Sequence, residues 1–369
     1  MNIEKLHLKN FRNYDELLIK FSDRLNIIIG NNAQGKTNIL EAIYYLAITK
    51  SFLAVNDKFV VKKQELFLQV SGKVNTLKGE KKLLLLINDK NKRMEINDKE
   101  IKRHSEYVGV FKAVIFSPDN VRLIKDSPGN RRRFLNIEIS QLHNKYIQLL
   151  NEFNVILKQR NEYLKIIKSG KYNKDYFDIL TDKFVLLASD IYLYRDTFIN
   201  KINFYLDGVF QNISDYSGLS LKYVTNVEVT CKEEIISSLK EKLRDLFDKE
   251  ILYGSTIVGP HRDDFVFSLN DNDLLLYGSQ GQLKMALLSL KLSELEVFRD
   301  VSGEYPVLLL DDLFSELDIE KQNRVINYLN RDIQTIVTTT DVDNIQNENI
   351  KNSYVTKIEA GKVIYKNYD

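Results

Sequence analysis

Hydrophobic residues in the two flanks of the chain, residues 1–118 and 255–369, fall in short alternating or continuous runs bounded by polar residues. Runs of this length predict β-strands, and longer stretches with apolar residues three or four apart predict helices. Helices are predicted at residues 38–46 and 285–298, so the flanks together predict an α/β fold. The predicted strands are Ile3–Leu8, Leu17–Phe21, Leu25–Ile29, Leu66–Val70, Leu83–Ile87, Ala113–Phe116, Thr256–Val258, Phe265–Leu269, Val307–Leu310, Thr335–Thr338 and Val363–Tyr365.

The middle of the chain has a different pattern. Residues 129–259 contain no proline, and apolar side chains recur there in alternating steps of four and three. This spacing predicts two long helices, at residues 142–167 and 177–205, joined by a turn at Ser169-Gly170-Lys171. We interpret them as an antiparallel helical hairpin, although two ordinary core helices would have similar spacing. A strand at Leu219–Val224 and an amphipathic helix at Glu233–Phe247 are predicted to follow.

A phosphate-binding loop follows the strand at residues 25–29. Residues 30–37 read Gly-Asn-Asn-Ala-Gln-Gly-Lys-Thr, which matches every fixed position of the pattern G-x-x-x-x-G-K-[ST]. Backbone N–H groups would surround the phosphates, Lys36 would reach the β- and γ-phosphates, and the Thr37 hydroxyl would bind Mg²⁺. A glycine turn that only caps a helix is the alternative. The predicted nucleotide-binding residues here are Gly30, Asn31, Asn32, Ala33, Gln34, Gly35, Lys36, Thr37 and Asn38.

A second part of the same site is predicted far along the chain. The apolar strand that begins at Pro306 ends in two carboxylates, Asp311 and Asp312. Asp311 is placed to hold Mg²⁺ through its waters, and Asp312 to orient or polarise an attacking water. A solvated acidic turn is the alternative.

The long separation of Thr37 from Asp311 indicates how the chain is divided. No connecting loop in a compact domain is that long. We therefore predict one ATPase domain split between residues 1–125 and 255–369, with an inserted, mostly α-helical domain at residues 126–254.

A third element indicates the class of ATPase. Ser279-Gln280-Gly281-Gln282, which we name the signature segment, lies directly before the helix predicted at residues 285–298. A serine and a glycine that open a helix form an anion-binding end, although alone they are often an ordinary helix cap. Because the phosphate loop already serves one nucleotide, we expect this segment to act in trans on the nucleotide of a second subunit. Followed by Asp311, Asp312 and Ser315-Glu316-Leu317-Asp318, it completes the order of parts in an ABC-type ATPase.

Composition restricts the choice of class only slightly. The 369 residues are 44% hydrophobic and 28% charged, with a net charge of +2, which neither requires nor excludes a nucleic-acid partner. We expect no membrane span and no signal peptide, and the single cysteine, Cys231, is compatible with a reducing cytoplasm. Four scattered histidines and one cysteine predict no zinc site.

These motifs, in this order, resemble the bacterial RecF family of recombination ATPases, which is related to the heads of SMC proteins. The Gly259–Asp264 run, Gly-Pro-His-Arg-Asp-Asp, is more typical of this family than of ABC ATPases in general. The resemblance rests on residues along nearly the whole chain: Phe11-Arg12-Asn13-Tyr14, Asn32–Tyr44, Ser117-Pro118-Asp119, Ser127-Pro128, Arg131–Leu135, Gly259–Asp264, Ser279–Gln282 and Leu310-Asp311-Asp312 through Asp318.

The resemblance implies an SMC-like ABC-type ATPase head whose helical insert is a shortened coiled-coil arm. It implies ATP and Mg²⁺ as cofactors, with Arg12 and Asn13 among the nucleotide-binding residues and Lys36 and Asp312 as catalytic residues. It further implies an ATP-dependent homodimer in the cytoplasm, binding to double-stranded or gapped DNA, slow hydrolysis, and partnership with a RecR-like protein. The implied role is DNA repair, replication and recombination, with help in recombinase loading and a link to the SOS response.

The chain departs from the family pattern at several positions. Leu283 and Lys284 follow Gln282 where the family usually has glutamine and arginine, and Leu53 stands where arginine is usual. Lysine keeps the positive charge but cannot make the bidentate contacts of arginine. These departures bear on rates and DNA affinity. The strand at residues 335–340 lacks the switch histidine of transporter ATPases, as do RecF-like proteins.

Two other functions fit parts of the pattern. An ABC-type subunit of a transporter would use the same ATPase motifs, and a small-molecule kinase would use the same phosphate loop. Two local interpretations also stay open. Arg131-Arg132-Arg133 could bind DNA phosphate or pair with carboxylates, and His261 with Asp263 could form an acid–base pair or an ordered turn.

Overall fold

The computed structural model describes residues 1–54, 56–88, 91–314, 317–329, 332–340 and 353–366. Contacts divide the chain into two compact units. The first unit contains residues 1–121, 205–217 and 280–369, and the second contains residues 122–204 and 218–279. No helix in the described part of the chain is long and apolar enough to cross a membrane.

An antiparallel sheet of six strands forms part of the first unit. Its strands are β1 Asn2–Phe11, β2 Tyr14–Lys20, β4 Phe67–Thr76, β5 Gly79–Asn88, β6 Lys92–Ile96 and β7 Lys99–Ile101, in the spatial order β2-β1-β4-β5-β6-β7. Alternating side chains such as Leu6 and Leu8 are buried on one face, where helix α1, Lys36–Ile48, packs. A Cβ atom at Gly72 would lie 2.5 Å from Leu46 Cδ2, so glycine allows the close approach of α1 to β4.

A second sheet of six strands positions the predicted site. It consists of β3 Leu25–Ile29, β8 Ala113–Phe116, β12 Val307–Asp311, β13 Thr335–Thr339, β14 Tyr354–Glu359 and β15 Lys362–Lys366, in the order β15-β14-β3-β13-β12-β8. All neighbouring pairs are parallel except β14 and β15. Strands such as β12 are buried along their whole length, as expected for a parallel sheet covered on both faces. The first unit's helices are α1, α2 His104–Tyr107, α10 Gln280–Ser302 and α11 Ile319–Leu329.

The second unit is mostly helical. Its two long helices run antiparallel, because ring contacts pair Tyr146 with Tyr194 at 5.2 Å and Phe153 with Phe184 at 5.3 Å. Strands β9 Leu219–Val224, β10 Asp264–Leu269 and β11 Asn272–Asp273 form a small antiparallel sheet. The helices are α3 Arg122–Lys125, α4 Pro128–Leu142, α5 Asn144–Lys168, α6 Lys174–Ile213 (whose last turns, from Tyr205, belong to the first unit), α7 Lys232–Asp245, α8 Phe247–Tyr253 and α9 Leu274–Tyr277.

Several details differ from the expectations. Residues 205–217, predicted inside the insert, group with the first unit, and residues 122–125, predicted in the ATPase domain, group with the second. Residues 256–258 are irregular, so the predicted strand there is wrong: the Thr256 hydroxyl accepts a hydrogen bond from Arg160, and its carbonyl bonds the His261 ring. Residues 255–279 also group with the second unit, whereas the predicted boundary put them in the ATPase domain. The reason is that β10 pairs with β9 along its whole length, from Asp264 opposite Val224 to Leu269 opposite Leu219.

Arg160 is a charged residue at one of the regularly spaced, otherwise apolar positions of α5. Its side chain is only 1% exposed and donates to Glu250 Oε2 at 2.6 Å and to Thr256 Oγ1 at 2.7 Å. The guanidinium also lies over the Phe177 ring, 4.9 Å from its centroid. Since a buried charge needs a partner, α8 and the segment after it are held to α5 by this ion pair.

We expect Arg160→Met to destabilise the second unit, because it leaves the Glu250 carboxylate buried without its cation. The free energy of unfolding should fall by about 3–5 kcal/mol, measured from urea unfolding curves. The control is Lys158→Met, which removes an exposed cation of the same helix. Equal unfolding midpoints for the two variants would contradict this role for Arg160.

Candidate nucleotide site

The phosphate loop has the backbone geometry that its glycines predict. Gly35 has a φ of 100° directly before α1, and Ala33 also has a positive φ, 64°. A Cβ atom at Gly35 would lie 2.6 Å from Asn13 Nδ2 and 2.8 Å from the Tyr14 hydroxyl. Asn31, Asn32 and Ala33 are exposed. The loop is therefore held from behind while its outer residues stay open to solvent.

Lys36 is buried at the start of α1. Its ammonium donates to two carbonyl groups of the loop itself, Gly30 O at 2.6 Å and Asn31 O at 3.1 Å. Burial lowers the pKa of Lys36, while the carboxylates of Asp312 and Asp311 act in the opposite direction. A cation that lacks solvent in this position would be stabilised by a polyphosphate.

The structure joins Thr37 to Asp311 across 274 positions of sequence. The Thr37 hydroxyl lies 2.8 Å from Asp311 Oδ1 and 3.1 Å from Oδ2. Thr338, on the strand between β3 and β12, donates its hydroxyl to Asp311 Oδ1 at 2.7 Å. Burial raises the pKa of Asp311, and the hydroxyls of Thr338 and Thr37 oppose that rise. Hydroxyl and carboxylate oxygens are the ligands that Mg²⁺ prefers, so this pair fits the predicted metal site.

Asp312 leaves the β12 strand in a left-handed conformation, with a φ of 50°. Its backbone N–H donates to Thr338 Oγ1 at 3.0 Å. Positive φ in a residue other than glycine is uncommon and is concentrated at functional sites. One threonine thus fixes both carboxylate residues that the sequence predicted.

Arg12 and Asn13 support the loop through protein contacts. Arg12, with a φ of 53°, makes a bidentate ion pair with the buried Glu41 of α1, at 2.6 and 2.7 Å. Asn13 donates to Gln34 O at 3.3 Å and accepts from Asn38 Nδ2 at 2.8 Å. Both residues therefore position the loop through contacts within the protein. That either one contacts nucleotide stays a prediction.

The signature segment opens helix α10. Ser279, Gln280 and Gly281 are exposed, whereas every residue from Met285 to Phe298 is buried. Leu283, one of the departures from the family pattern, is also buried, at 5% exposure. Action of this segment on a partner's nucleotide stays a prediction. Ser315 and Glu316, predicted to follow Asp312, lie outside the described residues.

The Gly259–Asp264 run has structural partners. Asp264 makes a bidentate pair with the buried Arg131, at 2.5 and 2.9 Å, so Arg131 pairs with a carboxylate. His261 bonds Thr256 O at 2.9 Å, and burial lowers its pKa to about 4. Asp263 instead bonds Arg195, at 3.0 Å, and the Tyr223 hydroxyl. These separate partners favour the ordered turn over an acid–base pair.

Sequence reasoning missed two supports of the site. Thr338 lies in a predicted strand without an assigned role, because its position between β3 and β12 depends on the order of the strands, which the local pattern does not give. The other support is the β14–β15 turn: Ala360 N donates to Gln34 Oε1 at 2.7 Å, and a Cβ atom at Gly30 would lie 2.6 Å from Ile358 O. No local pattern links that turn to the phosphate loop.

Comparison with known proteins agrees with this geometry. Residues 2–363 match the family model described as the RecF/RecN/SMC N terminal domain. The chain is 39% identical over 368 residues to the DNA replication and repair protein RecF of Geobacillus sp. (strain WCH70), covering 98% of each chain. It belongs to the RecF family. Other ABC-type ATPases, such as transporter subunits, and small-molecule kinases are thereby disfavoured.

Solved structures extend the comparison with the RecF family. A structure described as the recombination mediator protein RecF-ATP in the RecFOR pathway matches with a TM-score of 0.91 and 34% identity, covering 99% of this chain and 97% of the other. An Smc head domain of Pyrococcus furiosus matches with a TM-score of 0.56 and 18% identity, covering 99% and 96%. This second likeness shows the fold alone, an SMC-type ATPase head, as the resemblance implied.

We expect Gly35→Ala to impair nucleotide binding, because its Cβ collides with Asn13 and Tyr14 and its φ is unfavourable for alanine. Strain of about 1–3 kcal/mol that the loop cannot release corresponds to a loss of roughly 5- to 150-fold in affinity for a fluorescent ATP analogue. Gly79→Ala is the matched control, since Gly79 has a φ of 88° with nothing within 4 Å. Unchanged affinity in folded Gly35→Ala protein would contradict the packing argument.

Proposed function

We propose that this RecF-family chain is an ATP-dependent DNA-binding protein of recombinational and replication-gap repair. The observation that carries the proposal is the bond from Thr37 to Asp311, which unites the phosphate loop with the acidic strand. A helix cap or a solvated acidic turn would not require that bond. Together with family membership, it supports a nucleotide switch built from both ends of the chain.

ATP would lie on the loop from Gly30 to Asn38, with Lys36 exchanging its loop carbonyls for the β- and γ-phosphate oxygens. Mg²⁺, held by the Thr37 hydroxyl and Asp311, would neutralise charge on the phosphates. Asp312 would orient the attacking water, since its backbone is fixed by Thr338. Many ABC-type ATPases have glutamate at this position. Because the aspartate side chain is one methylene shorter, it would hold that water less closely, and we propose slow hydrolysis that serves as a switch.

The dimer is the second half of the proposal. The exposed N-terminal end of α10, with the Ser279 hydroxyl and Gly281, offers neutral donors to a γ-phosphate held by another copy. ATP would then join two copies around double-stranded or gapped DNA, and hydrolysis would release them. A RecR-like mediator and recombinase loading follow from the family, as does action in the cytoplasm.

Asp312→Asn should bind ATP normally but hydrolyse it at least about 100-fold more slowly, because it lacks the carboxylate that acts on water. The ATP-bound dimer should therefore accumulate. Phosphate release in single-turnover reactions gives the rate. Asp311→Asn is the comparison, since it should weaken Mg²⁺ binding instead. Hydrolysis by Asp312→Asn at the parent rate would remove Asp312 from this role.

The dimer itself is tested by solution mass with and without ATP, and then with duplex DNA. The parent chain should double its mass with ATP, and DNA should stimulate its hydrolysis. Ser279→Arg should bind ATP as a monomer, since its phosphate loop is intact, yet neither dimerise nor hydrolyse. A parent chain that stays monomeric with ATP and DNA would overturn the proposed switch.

Mixing two variants tests action between copies. Pairing two copies of Lys36→Met, or two copies of Ser279→Arg, would leave both sites defective, so neither variant alone should assemble or hydrolyse ATP. A mixed dimer would instead have one site with both defects and one intact site. Restored hydrolysis in the mixture would support action in trans. No restoration, with heterodimers demonstrated by mass, would count against it.

A further inference from the structure

Three consecutive large apolar side chains are exposed just before the signature segment. The exposed fractions are 44% for Leu275, 70% for Leu276 and 75% for Tyr277, while Leu274 is buried. Single exposed apolar residues are ordinary on protein surfaces, but a contiguous set is typical of interaction surfaces. We name Leu275–Tyr277 the α9 patch. Covering this patch with another apolar surface would be favourable, because it removes apolar side chains from water.

The fold holds the α9 patch in place. Asp273 Oδ1 accepts from Leu275 N at 2.8 Å, and Gly278 N donates to Leu274 O at 2.9 Å. A Cβ atom at Gly278 would lie only 2.4 Å from Leu274 O, so the chain turns tightly here before Ser279. Both ends of this short helix are therefore fixed by local bonds. The three apolar side chains are therefore exposed on a helix whose ends are fixed. Only Gly278 separates Tyr277 from Ser279.

A second apolar patch is attached to the phosphate-loop helix. Leu53 is 41% exposed and Phe59 is 70% exposed, in the segment that follows α1. The Ser51 hydroxyl accepts from Leu53 N at 2.9 Å and itself donates to Glu41 of α1. Arg12 bonds both Glu41 and, at 2.6 Å, Phe59 O. We name Leu53 and Phe59 the post-α1 patch, and these bonds tie it to the loop that holds the phosphates.

We propose that the α9 patch of one copy packs against the post-α1 patch of a second copy when ATP is bound. This inference rests on the proposed function, in which Ser279 reaches the nucleotide on the partner's phosphate loop. Tyr277 is two Cα steps from Ser279, at most about 7 Å, so it follows Ser279 to that loop. The surfaces that flank the loop are then its neighbours, and the post-α1 patch, held by Arg12 and Glu41, is an apolar surface among them.

The proposal also gives a role to the leucine of the post-α1 patch. Leu53 is an apolar side chain left 41% exposed beside residues that hold the phosphate loop. A leucine cannot bind phosphate, but it can cover an exposed tyrosine ring or leucine of a partner. The ATP-bound dimer would thus be joined by phosphate contacts at its centre and apolar contacts beside them. Apolar contacts next to desolvated polar ones exclude water and strengthen them.

A double-mutant cycle on the full chain tests the contact. The variants are Tyr277→Ser, Leu53→Ser and the double variant, and the measurement is the dimer dissociation constant with ATPγS and Mg²⁺ by sedimentation. Each single change should raise that constant by about 10-fold, as expected for a residue worth more than 1 kcal/mol at an interface. The double change should raise it little beyond a single one, because both remove the same contact.

Matched controls separate this contact from general effects. Leu252 and Tyr253, 63% and 67% exposed, are also adjacent apolar residues, and serine at both should leave the dissociation constant unchanged. Affinity of the monomer for ATPγS should be unchanged in every variant, which also shows that each is folded. Leu276→Ser provides a second probe of the α9 patch if Tyr277→Ser does not fold.

The outcomes distinguish this inference from the function on which it rests. If the parent chain dimerises with ATPγS but both α9 variants dimerise equally well, the inference is overturned and the proposed function stands. If the fold-changes of the two single variants multiply in the double variant, the two residues act independently, and the proposed contact between the patches is likewise overturned. A parent chain that stays monomeric with ATPγS would overturn both.

Discussion

The hydrogen bond between Thr37 and Asp311 depends on a particular order of strands, and much of the first unit serves that order. Thr37 begins α1 directly after the phosphate loop, and Asp311 ends β12. Strand β13 lies between β3 and β12, so Thr338 can reach the carboxylate from the strand in the middle. Carboxyl ends of parallel strands share one edge of a sheet, which is why residues so distant in sequence meet there.

The supports of this edge are mostly polar and mostly buried. Glu41 has no exposed surface, yet it receives Arg12 and the Ser51 hydroxyl from segments on both sides of α1. Charged groups without solvent are unfavourable unless paired, so each of these segments has a defined position against the helix. The segments around the loop are thus fixed by contacts within the protein. A loop supported in this way needs less ordering on binding than a flexible one.

Local pattern predicted the elements better than their connections. The strand Val307–Leu310 and the helix spacing on both sides of Ser169 are properties of a few neighbouring residues, and the structure has the corresponding elements. Arg160 lies among the apolar positions of α5, and its buried partners Glu250 and Thr256, 90 and 96 positions away, explain it. The segment at residues 256–258 is irregular because Thr256 bonds Arg160 and the His261 ring, partners that a local pattern of apolar residues does not reveal.

The candidate site shows the same division. The loop, Lys36, Thr37 and the two aspartates were predictable because their chemistry requires those residue types at that spacing. The roles of Thr338 and of the turn at Ala360 depend on which strands become neighbours. That information lies in pairings between the ends of the chain, such as Thr338 opposite Ile28, and periodicity does not contain it.

The pairing of β3 has a consequence during protein synthesis. Both of its neighbours, β13 and β14, lie beyond residue 334, whereas β1 pairs with β2 and β4 close by in sequence. At about 5–20 residues per second, a ribosome needs roughly 15–60 s to proceed from β3 to β13. Throughout that interval the nascent chain carries an apolar strand without its neighbours, and from residue 101 onward all strands of the antiparallel sheet are already made. Bacterial production of this protein is therefore most exposed to aggregation late in translation, before the last strands emerge.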